Sequence, residues 1–248
     1  MSAMSTDSDL LEPIWSQFSD VCRPTSVESL GNCGGFSGAR LWLADTPLGR
    51  LCLRAWPTEQ PSERQLEFIH ATLRRVRGQG LSFVPAPLRT QDGETFVRYD
   101  GCLWALAPWM PGVADFHSRP TPERLRAALQ ALARFHLAAA STDSPDPVGP
   151  SPTLRRRLRE LSSFLNGPAA EKLRRRVPDG RWPEMDVRAE RLLEHVESRR
   201  SYLNDLLELR IPSVTQQPVI RDIWHDHVLF DGDAVSASLL LRIQADKL

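Results

Sequence analysis

The chain has 248 residues, of which 41% are hydrophobic and 25% charged, and this composition excludes a disordered or fibrous protein. Such a length can bury one large core or two modest ones. Basic and acidic side chains number 31 each, so the net charge is zero and no overall field favours binding to nucleic acid or to an anionic membrane.

The N-terminus and the cysteines bear on location. Acidic residues stand where a signal peptide needs positive charge, and no apolar stretch approaches membrane-spanning length. The cysteines are Cys22, Cys33, Cys52 and Cys102. They lie far apart without a C-x-x-C pair, which is typical of reduced thiols rather than of a zinc site or a disulfide framework. We therefore expect a soluble, cytoplasmic protein.

The first half of the chain is predicted to be rich in β-structure. An N-terminal extension, residues 1–25, can form a helix, and a glycine-rich turn at residues 34–38 precedes two strands at 39–44 and 50–56. Further strands at 94–99 and 102–106 flank the turn Asp100-Gly101. The segment 107–112, which reads Ala-Pro-Trp-Met-Pro-Gly, then breaks the pattern.

A helix is predicted between these strand pairs. Ser62 and Gln65 have the spacing of a capping box, and glycines at 78 and 80 end the segment. An apolar stripe follows helical spacing at Leu66, Ile69, Leu73 and Val76. This pattern predicts an amphipathic helix with that stripe buried.

The second half of the chain is predicted to be mostly helical. Thr121 as cap and Pro122 at the first helical position open a helix that extends to about residue 140. Its apolar stripe is Leu125, Leu129, Leu132 and His136. Two further helical stretches, 154–165 and 186–209, carry many arginines, which acidic neighbours on the same faces balance. We interpret these as solvated helix faces rather than as a nucleic-acid surface.

Residues 221–233, Arg-Asp-Ile-Trp-His-Asp-His-Val-Leu-Phe-Asp-Gly-Asp, form the densest cluster of reactive side chains. Asp222, His225, Asp226 and His227 lie between a strand signal at 218–220 and another at 228–230, followed by a glycine turn. A loop held by β-structure at both ends is a common way to position reactive groups. Histidines two apart on a strand could also share a zinc ion, but no third ligand has the usual spacing.

This order of elements resembles the phosphotransferase enzyme family of aminoglycoside and choline kinases, which share the bilobal protein-kinase-like fold. The resemblance implies an α+β fold with a β-rich N-lobe at 26–111. It also implies a mostly helical but incomplete C-lobe at 112–248, with the catalytic loop at 220–233. The function implied is an ATP- and Mg²⁺-dependent kinase that phosphorylates a hydroxyl group of a small molecule, with no nucleic-acid or membrane partner.

The resemblance assigns the nucleotide site residue by residue. Gly35, Phe36, Ser37 and Gly38 fall on the phosphate-binding loop, which could equally be a plain β-turn. Arg54 takes the place of the lysine that pairs with phosphate, and Glu63, or Glu67 one turn later, is its acidic partner. Pro108, Trp109 and Met110 fall where the family contacts adenine; the alternative is a packed domain linker.

The catalytic loop matches the family in part. Asp222 falls on the catalytic aspartate, which orients the acceptor hydroxyl and takes its proton. His227 stands where an asparagine binds Mg²⁺, and Asp226 could supply a carboxylate instead. Leu240 stands where a chelating aspartate is expected. We therefore expect a truncated or degenerate, catalytically impaired kinase; the alternative is an inactive pseudokinase-like binding module or a gene fragment.

Overall fold

The computed structural model of the protein describes residues 7–31, 38–58, 61–140, 148–176, 180–208, 212–220 and 223–238. The helices are α1 Asp7–Trp15, α2 Glu63–Gly78, α3 Pro122–Ala139, α4 Pro152–Asn166, α5 Ala169–Arg176, α6 Pro183–Ser198 and α7 Arg200–Glu208. The strands are β1 Ser26–Gly31, β2 Arg40–Thr46, β3 Gly49–Trp56, β4 Val97–Tyr99, β5 Cys102–Pro108, β6 Val148–Pro150, β7 Ser213–Thr215, β8 Val228–Asp231 and β9 Ala234–Ser238. The mixed class of helices and antiparallel sheet agrees with the predicted fold class.

The chain forms two compact units. The first comprises Met1–Pro145 and Gln217–Ala245, and the second comprises Asp146–Gln216 and Asp246–Leu248. The division into lobes at residue 112 stays a prediction. None of the described helices combines the length and apolarity needed to span a membrane.

A five-stranded antiparallel sheet in the order β1-β2-β3-β5-β4 dominates the first unit. The predicted strands at 39–44, 50–56 and 102–106 are confirmed as β2, β3 and β5. Between β4 and β5, Asp100 and Gly101 both have positive φ, 48° and 70°, as a two-residue type I′ hairpin turn requires, and the predicted turn is confirmed. The strand predicted at 94–99 is shorter than expected, because β4 begins only at Val97.

The sheet is covered by a helix on each face. Side chains of α1 and the turn after it pack on one face, where the buried residues are Leu11, Ile14, Trp15, Phe18, Cys22, Trp42, Ala44, Leu51, Leu53, Ala55, Trp104 and Leu106. On the other face, Leu66 of α2 packs with Trp56 and Ala105. Because side chains alternate along a strand, Arg54 lies on the same face as Trp56, towards α2.

Local capping explains where α2 begins. The Ser62 amide donates to Gln65 Oε1 at 2.9 Å, and the Gln65 amide donates to Ser62 Oγ at 3.4 Å, which confirms the predicted capping box. The predicted stripe is buried as well. Its later members, Ile69, Leu73 and Val76, join the core cluster that includes Phe135 and Ala138 of α3.

The buried face of α3 differs from the prediction. The helix begins after Thr121 as expected, but Leu125 and Leu129 are exposed, whereas Arg124, Phe135 and Ala138 are buried. Arg124 is buried because its guanidinium pairs with the carboxylate of Asp115, which lies outside the helix. Leu132 and His136 of the predicted stripe are half-buried, so the leucine spacing was correct for the later half of the stripe and wrong for Leu125 and Leu129.

The hairpin of β8 and β9 confirms the strand predicted at 228–230, with Gly232 in the turn at φ 59°. The strand predicted at 218–220 is wrong, since these residues are not in a strand. Pro218 has no N–H to donate, and the Ile220 amide donates to a histidine side chain rather than to a strand. Residues 221–233 are thus flanked by β-structure on one side only.

The second unit contains α4 to α7 and the small sheet of β6 and β7. The stretch predicted at 186–209 is two helices, because α6 ends at Ser198 and α7 starts at Arg200. Ion pairs such as Arg175–Glu171 lie on exposed helix faces, as expected for solvated charges. Hydrogen bonds from Arg200 and Arg174 lower the pKa of Glu197 to about 2.

Candidate nucleotide and catalytic site

Arg54 lies in the middle of the main sheet. It pairs in register with Leu41 of β2 and with Ala105 of β5, so the strand holds its main chain on both sides. Its guanidinium lies over the Trp56 ring, 4.8 Å from the ring centroid, and this contact restricts the side chain. The predicted phosphate-binding cation is therefore held on the α2 face of the sheet.

The partner predicted for Arg54 was Glu63, and the structure corrects this pairing. Both Glu63 carboxylate oxygens accept hydrogen bonds from Arg98 of β4, at 2.7 and 2.8 Å. This fork holds the pKa of Glu63 below its usual value. Glu63 is the first residue of α2, and at that position it lies beside the sheet edge. Whether Glu67 is the partner of Arg54 stays open.

A buried side chain of α2 near Arg54 is His70, which the sequence pattern did not single out. His70 is only 4% exposed, and its Nδ1 lies 2.9 Å from Thr95 Oγ1. Burial lowers its pKa to about 4, and the positive charges of Arg54 and Arg74 act in the same direction. The imidazole is thus neutral at physiological pH. Its signal was its place four residues after Leu66, on the buried face of α2.

Only one residue of the predicted phosphate loop lies within the described chain. Gly38 is exposed and has φ +68°, a left-handed conformation that favours glycine. It lies directly before the residues that open β2. Gly35, Phe36 and Ser37 lie outside the described residues, so their phosphate-binding role stays a prediction.

The segment Pro108-Trp109-Met110 connects the sheet to the hairpin. Pro108 ends β5, and the Trp109 amide donates to the Arg50 carbonyl oxygen at 2.9 Å. Trp109 is 40% exposed, whereas Met110 is buried against Leu229 and Ala237. Contact with adenine stays a prediction for all three; in the structure, Met110 packs as the linker alternative requires.

Gly112 makes the closest approach between linker and hairpin. Its φ is +107°, and a Cβ there would overlap Ser236 Oγ and lie 3.0 Å from the Phe230 carbonyl oxygen. Ser236 Oγ donates to the Pro111 carbonyl oxygen at 2.8 Å. Val113 and Phe230 exchange main-chain hydrogen bonds at 3.0 Å in both directions. Together these contacts fix the linker against the strands that follow the catalytic loop.

A buried arginine reinforces this junction. Arg124 of α3 is 3% exposed, pairs with the Asp115 carboxylate and donates to the Arg119 carbonyl oxygen at 2.7 Å. Its guanidinium also lies 4.1 Å from the centroid of the Phe230 ring. Hydrogen bonding from Arg124 holds the pKa of Asp115 below its usual value. No sequence pattern predicted this cluster, because the partners come from separate segments.

The structure places two of the predicted catalytic-loop residues in a 3₁₀ turn, His225–His227. Asp226 is exposed and its Oδ1 lies 2.5 Å from His225 Nδ1, whereas His227 Nδ1 accepts a hydrogen bond from the Trp224 amide at 3.2 Å. The catalytic aspartate itself, Asp222, and Leu240 lie outside the described residues. The metal-binding roles of His227 and Asp226 therefore stay predictions.

The turn also bears on the zinc alternative. In a 3₁₀ turn, with three residues per turn, positions two apart point in different directions, so His225 and His227 do not converge as they would on a strand. The ring facing His225 is that of His117, with the two centroids 5.0 Å apart. Among the described residues, no three His, Cys, Asp or Glu side chains converge as a metal site requires. The described side chains alone therefore do not form a three-ligand site of the kind zinc requires, and the described cysteines are free thiols.

Comparison with known proteins assigns the fold to a family. Residues 31–238 match the model of the phosphotransferase enzyme family, APH. The match covers most of the chain, and the protein belongs to the phosphotransferase enzyme family. This confirms the resemblance on which the residue assignments rest. No curated protein matches the sequence significantly.

Solved structures share the fold at low sequence identity. An aminoglycoside phosphotransferase from Alicyclobacillus acidocaldarius subsp. acidocaldarius DSM 446 is 16% identical, with a TM-score of 0.51 over 97% of this chain and 67% of that one. An amicoumacin kinase solved with AMP-PNP, Ca²⁺ and Ami is 15% identical, with a TM-score of 0.57 over 94% of this chain and 63% of that one.

A third structure is a thermostable mutant of the aminoglycoside phosphotransferase APH(4)-Ia, solved with ADP and hygromycin B. It is 16% identical, with a TM-score of 0.52 over 95% of this chain and 70% of that one. The chain thus spans 63% to 70% of the length of these three neighbours. Identities this low show the shared fold alone.

Proposed function

We propose that the protein is an ATP-dependent phosphotransferase that transfers a phosphoryl group to a hydroxyl group of a small molecule. The observation that carries the proposal is the family match over residues 31–238, which spans β2 to β5 of the main sheet, α2, the linker, α3 and the hairpin of β8 and β9. Two structural neighbours support the ligand classes, since one holds AMP-PNP and another holds ADP with hygromycin B.

Arg54 is the residue to which we assign the nucleotide phosphates. A guanidinium can bind two phosphate oxygens with parallel hydrogen bonds, and stacking on Trp56 limits the side-chain entropy that binding would cost. Glu63 binds Arg98 instead, and burial together with the positive charge of Arg54 lowers the pKa of the neighbouring His70, so that imidazole is neutral. The positive charge of Arg54 favours an anionic ligand.

Asp222 is proposed as the base that orients the acceptor hydroxyl and takes its proton. In phosphoryl transfer most of the catalytic effect comes from positioning and from charge stabilisation, so a base at the right place is essential although its chemistry is simple. Mg²⁺ is proposed to bind together with the nucleotide, because phosphate oxygens are the hard ligands that this ion prefers.

Nucleotide binding tests the assignment of Arg54. We expect MgATP to raise the melting temperature of the full chain, because a ligand at 100 times its Kd stabilises a protein by about 2.7 kcal/mol. The variant R54Q should shift less at the same ATP concentration. R50Q is the matched control, since Arg50 lies four residues earlier on the same strand and face, but its exposed side chain pairs with Asp45. Equal shifts in both variants would remove Arg54 from the phosphate site.

The second candidate function is a binding module that does not catalyse transfer. It is favoured by the described part of the catalytic loop, where His225 engages the carboxylate of Asp226 and no three-ligand metal site forms among the described residues. The two functions differ in their response to metal. An ATP-induced shift that requires Mg²⁺ supports the phosphotransferase, whereas no shift, or one independent of Mg²⁺, supports the binding module.

A further inference from the structure

Trp56 provides the surface on which the guanidinium of Arg54 lies. Both residues belong to β3, and because side chains alternate along a strand, residues two apart point to the same face. The Arg54 Cζ atom lies 4.8 Å from the centroid of the Trp56 ring, within the range of a cation–π contact. The contact forms within one strand, so the pairing of that strand on both sides keeps the two side chains next to each other.

The Trp56 ring is itself fixed by the elements around it. It is 8% exposed, and its buried neighbours are Ala39, Leu66, Phe96 and Ala105. These neighbours come from α2, from β5 and from the residues just before β2 and β4. A large side chain packed on several sides has little room to change rotamer, so the ring is a rigid support for Arg54.

The same part of β3 adjoins the end of the glycine-rich turn. Ala39 follows Gly38 directly and is buried in the cluster that contains Trp56. A Cβ at Gly38 would lie 3.8 Å from Pro57 Cγ, and Pro57 is the residue after Trp56. The two described parts of the predicted phosphate site, Gly38 and Arg54, are therefore both adjacent to the end of β3.

The flat ring of Trp56, rather than its indole N–H, is the part of the side chain that makes this contact. Nε1 is buried, and none of the described residues offers it an acceptor. A buried donor without a partner lowers stability, so the N–H gives tryptophan no advantage over phenylalanine at this position. The planar guanidinium of arginine stacks on a ring, whereas the compact ammonium group of lysine does not.

We propose that Trp56 is a positioning residue of the nucleotide site, which orients the Arg54 guanidinium for phosphate and makes position 54 specific for arginine. The part of this inference that concerns the nucleotide rests on the proposed function. A side chain that is already ordered loses less rotamer freedom when a ligand binds, and the gain in affinity is about two- to tenfold. Trp56 acts through Arg54, so its loss should weaken ATP binding only while residue 54 is arginine.

NMR of the full chain without nucleotide tests the stack itself. The Nε–H proton of Arg54, assigned by its absence from R54K, should be shifted upfield by the ring current of Trp56. The shift should vanish in W56L and persist in W56F. W42L is the matched control, because Trp42 is 7% exposed and lies 5.5 Å from the Arg40 guanidinium on the opposite face of the sheet. An Arg54 proton without this shift in the wild type, or with the same shift in W56L, overturns the proposal.

Calorimetric titration with MgATP then tests the positioning role. W56L should bind about two- to tenfold more weakly than the wild type, whereas W56F should stay within about twofold and W42L should be unchanged. R54K keeps the charge but not the planar group, so it should lose as much affinity as W56L, and this comparison does not depend on the stability of W56L. In the R54K background, W56L should cause no further loss.

The outcomes separate this inference from the proposed function. Equal affinity for MgATP in the wild type and W56L, an equal loss in W42L, or wild-type affinity in R54K overturns the role of Trp56 even if the wild type is an active kinase. A wild type that shows the upfield shift but binds no MgATP overturns the proposed function, and with it the nucleotide role of Trp56.

Discussion

Replacement of Gly112 by alanine tests whether the close approach of linker and hairpin is needed for stability. The φ of +107° is strained for any residue with a Cβ, which costs about 1–3 kcal/mol. The added methyl would also overlap Ser236 Oγ and press on the Phe230 carbonyl oxygen, and overpacking of this kind costs about 1–3 kcal/mol. Alanine also lowers the conformational entropy of the unfolded chain, which stabilises the folded state by about 0.4–1 kcal/mol. We expect G112A to lose about 2–5 kcal/mol of the free energy of unfolding.

The chain offers a matched control at Gly49. Its φ is +111°, close to that of Gly112, but an added Cβ would meet no atom within 4 Å. G49A should therefore carry the backbone strain alone, and the difference between the two variants isolates the steric contact. Removal of the Ser236 hydroxyl relieves part of the overlap, so G112A and S236A should be less than additive in a double-mutant cycle.

Urea unfolding followed by both circular dichroism and tryptophan fluorescence measures these differences, and coincident transitions are required before free energies are compared. The reasoning is refuted if G112A is no less stable than G49A, because the contact with the hairpin would then not exist in solution.

Three further outcomes follow from buried or capping groups of the first unit. Above its unfolded pKa of 6.5, His70 is neutral in the folded and the unfolded chain, so its contribution to stability is complete. As the pH falls from 6.5 to about 4, only the unfolded chain takes up the proton, and the free energy of unfolding of the wild type should decline by about 3 kcal/mol relative to that of H70L. If the two proteins differ in free energy of unfolding by the same amount at pH 7 and at pH 4.5, the imidazole is not buried in its neutral form. D115N should destabilise the protein more than R124M, because D115N leaves the buried guanidinium of Arg124 without its carboxylate, whereas R124M leaves only the partly exposed carboxylate of Asp115 without a partner. A lower urea midpoint for R124M than for D115N would exclude the buried ion pair. S62A should cost about 1 kcal/mol through loss of the α2 cap, and equal urea midpoints for S62A and wild type would show that the cap does not contribute.

The most accurate predictions from the sequence concern features that are determined by residues close together in the chain. The capping box at Ser62 and the turn at Asp100-Gly101 each require only a few consecutive residues, and both are confirmed. The strands of the main sheet follow from the same kind of local pattern. Membership of the phosphotransferase family was also predicted, since the order of elements is itself a property of the sequence.

Features that depend on partners distant in sequence were missed or misassigned. Glu63 pairs with Arg98, 35 residues away, because both reach the sheet edge where α2 begins. Arg124 of α3 is buried because its guanidinium reaches Asp115 and the Phe230 ring, and the leucine spacing did not predict this burial. The spacing of apolar residues predicts that a helix has an apolar face, but it does not predict which polar side chain will be buried through pairing with a residue elsewhere in the chain.

The catalytic loop shows a third kind of error. The zinc alternative required His225 and His227 to lie two apart on a strand, yet the residues form a 3₁₀ turn. The lead-in at Ile220 is likewise held by a side chain rather than by a strand partner. Loops take their shape from such individual contacts, which residue propensities do not encode.

Transfer of the γ-phosphoryl group tests the central claim most directly. The full chain is incubated with ATP labelled on the γ-phosphate, Mg²⁺ and a panel of small hydroxyl compounds, and label lost from ATP is measured both in products and as free phosphate. The phosphotransferase account predicts loss of label above the protein-free rate in the wild type and its abolition in D222N, while D222N still shows the ATP-induced rise in melting temperature. A wild-type rate equal to the protein-free rate, or an equal rate in D222N, would contradict the account.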